Sequence, residues 1–189
     1  MYPAYDEEYY TYADYCTWDD DERWELIDGV AYAMSPAPTV NHQSISAKLV
    51  TQLSNFLKGR TCRVFAAPFD VRLNADADDE TVVQPDVLVV CDKSKFAADG
   101  RGLIGAPDLA IEILSQSTEK HDKHIKFKTY QRAGVREYWI IDPQHRIVMA
   151  NLLTDGVYIA RMYFEEDTVP VQVLEGCLID LADVFEDLM

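Results

Sequence analysis

The chain has no apolar run approaching the roughly 20 residues that cross a bilayer, and its start lacks a basic segment leading into an apolar stretch. A transmembrane anchor and a secretory leader are therefore not expected, and a cytoplasmic location is. The four cysteines, Cys16, Cys62, Cys91 and Cys177, are scattered. None sits at zinc-ligand or redox-motif spacing, so they read as small buried or half-buried side chains in a reducing compartment. Basic residues are scarce too: 17 Lys and Arg face 33 Asp and Glu, for a formal net charge of −16. That balance argues against tight, non-specific DNA binding by the chain as a whole, since phosphate neutralisation supplies most such affinity. The acidic runs at residues 6–8, 19–22, 76–80 and 165–167 read as solvated loops or tails. Basic residues gather only locally, from Lys120 to Lys128 with Arg132 and Arg136 beyond, which leaves one basic edge available.

The chain is long enough, at 189 residues and 48% apolar composition, to bury one sizeable core. A flexible acidic segment over residues 1–10 and a single domain over 11–189 are expected. Thr11 caps a short helix reaching Trp18. Residues 25–34 read as a hairpin turning at Asp28-Gly29. Ser35-Pro36-Ala37-Pro38 reads as a loop, and Ile45, Leu49, Leu53, Phe56 and Leu57 recur at helical spacing up to Gly59. One or two strands follow over 64–73. The runs 82–90 and 109–114 are nearly continuously apolar, as strands buried on both faces are. A helix over 119–133 stops at Gly134. Strands over 137–141, 147–153, 157–162 and 169–174 and a last helix within 178–188 complete a mixed α/β (α+β) order around a central sheet.

Three segments carry the candidate chemistry. In Gln84-Pro85-Asp86-Val87 the proline places Asp86 at a strand entrance; the competing reading is a turn aspartate accepting local backbone N–H groups. In Ala110-Ile111-Glu112-Ile113-Leu114 a lone carboxylate interrupts an apolar strand. Burying it costs several kcal/mol unless it is compensated, by a structural ion pair with Lys126 or Arg132 or by a divalent cation. Hard oxygen donors of this kind suit Mg²⁺ or Mn²⁺ rather than zinc. Lys126 follows on the next helix, where it is either a solvent-facing lysine or an ammonium placed near the acids. Glu25, opening the first strand, either completes the acidic cluster or is half-exposed. His42-Gln43 can aim into the same cleft or cap and pack the long helix.

Taken in order, Arg23-Trp24-Glu25-Leu26-Ile27-Asp28-Gly29, Met34-Ser35-Pro36 with His42-Gln43, Gln84-Pro85-Asp86-Val87, Ile111-Glu112-Ile113-Leu114-Ser115, Asp122 with Lys126 and Tyr130, and Gly134-Val135-Arg136-Glu137-Tyr138-Trp139-Ile140-Ile141-Asp142-Pro143 form a pattern. It resembles the bacterial Uma-two family of restriction endonucleases, a branch of the PD-(D/E)XK nuclease superfamily, over residues 11 to 185. The resemblance implies a restriction-endonuclease-like core, a central mixed β-sheet flanked by helices. It implies catalytic roles for Glu25, Asp86, Glu112 and Lys126, with Asp86, Glu112 and the Ile113 carbonyl as metal ligands. It also implies Mg²⁺- or Mn²⁺-dependent hydrolysis of DNA by a homodimer. Two positions after Glu112 the superfamily's usual lysine is replaced by Leu114, and Lys126 resembles its migrated counterpart. The Tyr138-Trp139 pair is expected in the core. The alternative is a catalytically silent nuclease-fold binding or regulatory protein.

Overall fold

The computed structural model describes residues 9–19, 22–34, 38–75, 78–115, 121–186 and 188–189. Most of the expected flexible start, the Ser35-Pro36-Ala37 loop and Lys120 of the basic edge lie outside the described residues. Tyr10 lies inside them, and its amide donates to the Gly29 carbonyl at 2.8 Å.

Helix α1 (Tyr12–Tyr15) starts at Thr11, whose hydroxyl and amide both donate to Asp14 at 2.8 Å. It is shorter than expected, with no residue buried to hold further turns. Strands β1 (Trp24–Ile27) and β2 (Val30–Ala33) form the hairpin. Asp28 (φ 51°) and Gly29 (φ 76°) supply the two left-handed residues that a tight two-residue turn requires. Helix α2 (Val40–Leu57) is capped by the Thr39 side chain and buries Ile45, Leu49, Leu53 and Leu57 at helical spacing.

Strands β3 (Arg63–Ala66), β4 (Val71–Arg72), β5 (Val82–Val83), β6 (Val87–Val90), β7 (Leu103–Ile104) and β8 (Leu109–Ile113) follow. A π-helical turn, His121–Lys126, leads into α3 (Phe127–Ala133), which Gly134 closes at φ 81°. Strands β9 (Glu137–Asp142), β10 (Ile147–Thr154), β11 (Val157–Phe164), β12 (Thr168–Pro170) and β13 (Leu178–Asp180) precede α4 (Leu181–Val184).

The central sheet runs β11-β10-β9-β8-β6-β3, with β8 and β9 parallel and its other pairs antiparallel. A second sheet runs β2-β1-β5-β4-β7, and β12 pairs with β13. The mixed restriction-endonuclease-like core is thus as expected. One face of the central sheet carries Val87, Val89, Leu109, Ile111, Trp139 and Ile141 and packs on α2, α4 and the β12–β13 pair. The other carries Leu88, Val90, Ala110, Tyr138 and Ile140 and packs on α3 and the second sheet. Tyr138 and Trp139 are fully buried, one on each face.

Three expectations need correction. Residues 82–90 form two strands in different sheets, because Pro85 withholds an amide and the chain bends at Asp86. The strand expected over 169–174 is confined to Thr168–Pro170 and pairs with residues 178–180, where Ile179 is buried opposite Val169; the last helix lies within 178–188 as expected and begins where the Asp180 side chain caps it. Cys62 and Cys91 are joined in a disulfide between β3 and β6. The Arg63–Val90 register brings the two together, which sequence spacing does not reveal. This removes the cysteine-based reason for a reducing compartment, although Cys16 and Cys177 are free. Among the described residues no helix is long and apolar enough to cross a membrane.

Candidate active site

Glu112 lies on β8 between Ala110 and Leu114, on the face of the central sheet that meets the second sheet. Glu25 on β1 shares the face of Ile27 and projects into the same interior. The antiparallel register of Val87 with Ile111, continued by one position, sets Asp86 opposite Glu112. Proximity across the ladder thus follows from Asp86 sitting one residue before β6.

Lys126 ties the acids together. Its ammonium lies 2.8 Å from Glu25 Oε1, 2.9 Å from Glu112 Oε1 and 3.7 Å from Asp122 Oδ1. Lys126 and Glu112 are each 3% exposed and Glu25 is fully buried. The Tyr130 hydroxyl donates to the same Glu112 oxygen at 2.7 Å. The Gln84 amide donates to Glu25 Oε1 at 2.8 Å, while the Gln84 side chain donates to Asp70 and Tyr15. Asp86 Oδ2 accepts the Ile113 amide at 2.7 Å and lies 3.1 Å from His42 Nε2. Asp86 is the open end of the group, with a side chain 20% exposed.

The π turn explains how one short segment serves Glu25 twice. With hydrogen bonds from i to i+5, residues five apart share a face. His121 Nε2 accordingly lies 3.6 Å from Glu25 Oε2, and Lys126 meets Oε1.

The carboxyls are driven in opposite directions. Burial pushes Glu112 well above the usual range, Lys126 pulls it back, and Asp122, Asp86 and Glu25 add to the rise. Burial also pushes Glu25 up, but Lys126, His121 and the Gln84 amide outweigh it and bring Glu25 down to about 2. Burial works against the Lys126 ammonium; Glu112, Glu25 and Asp122 overcome it and hold Lys126 charged far up the scale.

Three acids, Glu25, Glu112 and Asp122, therefore surround one ammonium, and Glu25 Oε2 is buried without a hydrogen-bond partner among the described residues. The donor set is hard oxygen, charge-deficient and open at Asp86, which fits a divalent cation of the Mg²⁺ class. Among the described residues no three His, Cys, Asp or Glu side chains form a ready cage. Mg²⁺ needs none, because it commonly takes one or two carboxylates and completes its shell with waters and substrate phosphate.

The structure thus brings Glu25, Glu112 and Lys126 into direct contact, with Asp86 beside Ile113. His42 does aim at Asp86. Lys126 does not belong to the expected basic edge, since it is buried, and Arg132 is engaged by Asp28. Gln84, His121 and Tyr130 were not singled out for roles. Tyr130 was findable, four residues beyond Lys126 on one helical face. His121 was not, because no sequence periodicity announces a π turn.

Comparison with known proteins agrees with this architecture. The profile of the Uma2 family, described as "Putative restriction endonuclease", matches residues 6–182. Two uncharacterized proteins of Synechocystis are 32% identical over 119 residues and 30% identical over 122. These matches cover 62% and 64% of this chain, and 60% and 67% of the relatives' own lengths. A crystal structure from Anabaena variabilis, described as a putative nuclease belonging to DUF820, superposes with a TM-score of 0.75. It is 20% identical, with 93% of this chain and 97% of that one covered, and it shares the fold.

Proposed function

Because this chain belongs to the Uma2 family of restriction-endonuclease-like proteins, we propose that it is a Mg²⁺- or Mn²⁺-dependent endodeoxyribonuclease of PD-(D/E)XK type. In this reading residues 11–189 form one nuclease domain, and the protein acts as a homodimer on DNA in the cytoplasm. The observation that carries the proposal is the Lys126 ammonium held at 2.8–2.9 Å by two buried glutamates. An isolated structural ion pair needs one carboxylate for one lysine; here the acids outnumber the ammonium, so the site is built for further positive charge.

Asp86 and Glu112, with the Ile113 carbonyl, would hold the cation. When bound, it supplies Lewis-acid polarisation of a phosphoryl oxygen and a water of lowered pKa. The remaining work falls to fixed side chains. Lys126 offers an ammonium to the charge developing on phosphorus-bound oxygen, at no reorganisation cost because Glu25 already orients it. Tyr130 fixes the Glu112 rotamer from one side while Lys126 fixes it from the other. Gln84 anchors Glu25 through its amide, and His42 steadies Asp86 at the open end.

A second reading, a catalytically silent nuclease-fold binding protein, is favoured by one observation, the net charge of −16, which opposes approach to DNA. Incubation of supercoiled plasmid with the protein and Mg²⁺ or Mn²⁺ separates the two. Cleavage that requires the cation and disappears in Glu112→Gln supports the enzyme. Absence of cleavage under every divalent cation, or equal cleavage by the variant, overturns it.

A further inference from the structure

Of the four histidines, His124 and His145 are exposed and His42 is half-buried, whereas His121 is 3% exposed. Neither ring nitrogen of His121 has a hydrogen-bond partner among the described residues. Glu25 Oε2, equally buried, lacks one too, and it lies 3.6 Å from His121 Nε2. The other oxygen of Glu25 is held twice, by the Lys126 ammonium and by the Gln84 amide. Two idle polar atoms thus face each other on the side of Glu25 away from the lysine.

Two elements seat the imidazole there. Tyr32 stands opposite Glu25 in the β1–β2 ladder, so their side chains share one face of the second sheet. The Tyr32 ring packs on the imidazole with centroids 4.7 Å apart. The π turn, with residues five apart on one face, brings His121 to one oxygen of Glu25 and Lys126 to the other. An apolar ring would fill this space without the loss of hydration that an unpartnered imidazole suffers. Burial pushes the Glu25 carboxyl up; Lys126 does most to bring it down, and His121 comes next. The imidazole therefore favours the charged carboxylate, which a mere space-filler would not.

We propose that His121 is a positioning residue: with its proton on Nε2 it donates to Glu25 Oε2, and so keeps Oε1 turned to the Lys126 ammonium. Closing the gap by about half an ångström gives a hydrogen bond of ordinary length and satisfies both idle atoms. The need arises because the terminal torsion of a glutamate is broad. Held at Oε1 alone, the carboxylate can swing about that torsion and carry the lysine with it; held at both oxygens it cannot. The consequence for cleavage rests on the nuclease reading, in which Lys126 meets the charge developing on the phosphoryl oxygen. The contact itself stands apart from that reading.

Melting and cleavage, both on the full chain, test it. His121→Phe keeps a ring on Tyr32 and removes the donor, whereas His121→Gln keeps a donor and removes the ring. His121→Phe should lower Tm, and His121→Gln should recover most of that loss. In a Glu25→Gln background the Phe substitution should lower Tm much less. The amide there keeps its oxygen toward Lys126 and Gln84, which turns its NH2 to His121 and leaves the imidazole no acceptor. Plasmid cleavage at saturating Mg²⁺ should fall about 10-fold in kcat for His121→Phe, at unchanged KM, and stay within about twofold for His121→Gln, the scale on which outer partners of site acids act. Mn²⁺ affinity should be unaltered in both, because Asp86 and Glu112 keep their partners. If circular dichroism shows His121→Phe unfolded, His121→Met, as long as Gln but without its donor, replaces it. Donor and non-donor variants that behave alike, an equal Tm loss in both backgrounds, or a wild-type kcat in His121→Phe overturns the proposal. A wild type that cuts nothing refutes the nuclease reading, and the melts still decide whether His121 holds Glu25.

Discussion

Glu25 and Glu137 are both hidden, at 0 and 1% exposure, and they titrate in opposite directions. Glu137 sits on the α2 side of the central sheet beside Trp139, accepting the Trp139 indole at 2.7 Å and the Val173 amide at 3.0 Å. Burial raises it, and those neutral donors only soften the rise. Glu25 lies across the other face, where burial is overruled by the Lys126 ammonium. Glu137 closes a fold: it ties β9 to the loop after β12. Glu25 belongs to a charged group that holds more acid than base. Equal burial on two faces of one sheet thus marks structure on one side and candidate chemistry on the other, and the difference lies in the partners.

The comparison breaks most severely if the two faces contribute alike to cleavage. Glu112→Gln should lower plasmid cleavage on the order of 10³-fold, as loss of a fixed electrostatic group at a reacting centre does. Glu137→Gln, on the opposite face, should leave it within about twofold. Rates measured at saturating Mg²⁺ on folded protein decide between them, and a matched fall in both variants would erase the distinction.

Next in size is Lys126→Met. Glu25 and Glu112 would then face each other without their shared cation, at a cost of about 3–5 kcal/mol to the metal-free protein. Urea unfolding should show that loss, and Mn²⁺ should recover part of it. A neutral effect would mean that Lys126 is a dispensable cover for the sheet.

A smaller effect separates the two glutamates by pH. Glu25 is held near 2, below its ordinary 4.5, so its contribution is present above about pH 4.5 and is lost as pH falls toward 2. Glu137 is raised, so its contribution is present below 4.5 and is lost as pH rises through its folded value. In thermal melts Glu25→Gln should flatten the acid limb between pH 4.5 and 2, and Glu137→Gln should not. The slope carries the information, because Glu25→Gln also lowers stability at neutral pH.

The smallest expected change is at Arg132, whose pair with Asp28 is 62 and 49% exposed. Arg132→Ala should cost about 0–1 kcal/mol, less in high salt, with cleavage little altered. A large loss of cleavage would restore Arg132 to a basic DNA-binding edge.

Much of this was legible in the sequence, and the rest failed for identifiable reasons. The Asp28-Gly29 turn, the Ile45-Leu49-Leu53-Leu57 stripe and the apolar strand around Glu112 each follow from a local rule, and the structure contains each one. The pairing of Lys126 with Glu112 was open as one of two partners, and the π turn that carries Lys126 back against β8 settled it. What escaped depends on long-range contact. The Cys62–Cys91 bridge needs the β3–β6 register, β13 needs Val169 opposite Ile179, and the contact of His121 with Glu25 needs a π turn. Lys123, Lys126 and Lys128 look equivalent on paper. Only the packing of α3 against Tyr138 and the second sheet shows which of them is buried.

Titration of Mn²⁺ into wild type and Glu112→Gln by calorimetry, at one pH and with no nucleic acid present, tests the central claim without depending on substrate. The account predicts one site per chain in the wild type, its loss or a weakening of at least about 10-fold in Glu112→Gln, and an unaltered site in Glu137→Gln. Wild-type protein that binds no divalent cation, or binding that survives Glu112→Gln undiminished, would contradict the assignment of the buried acids as a metal-dependent active site.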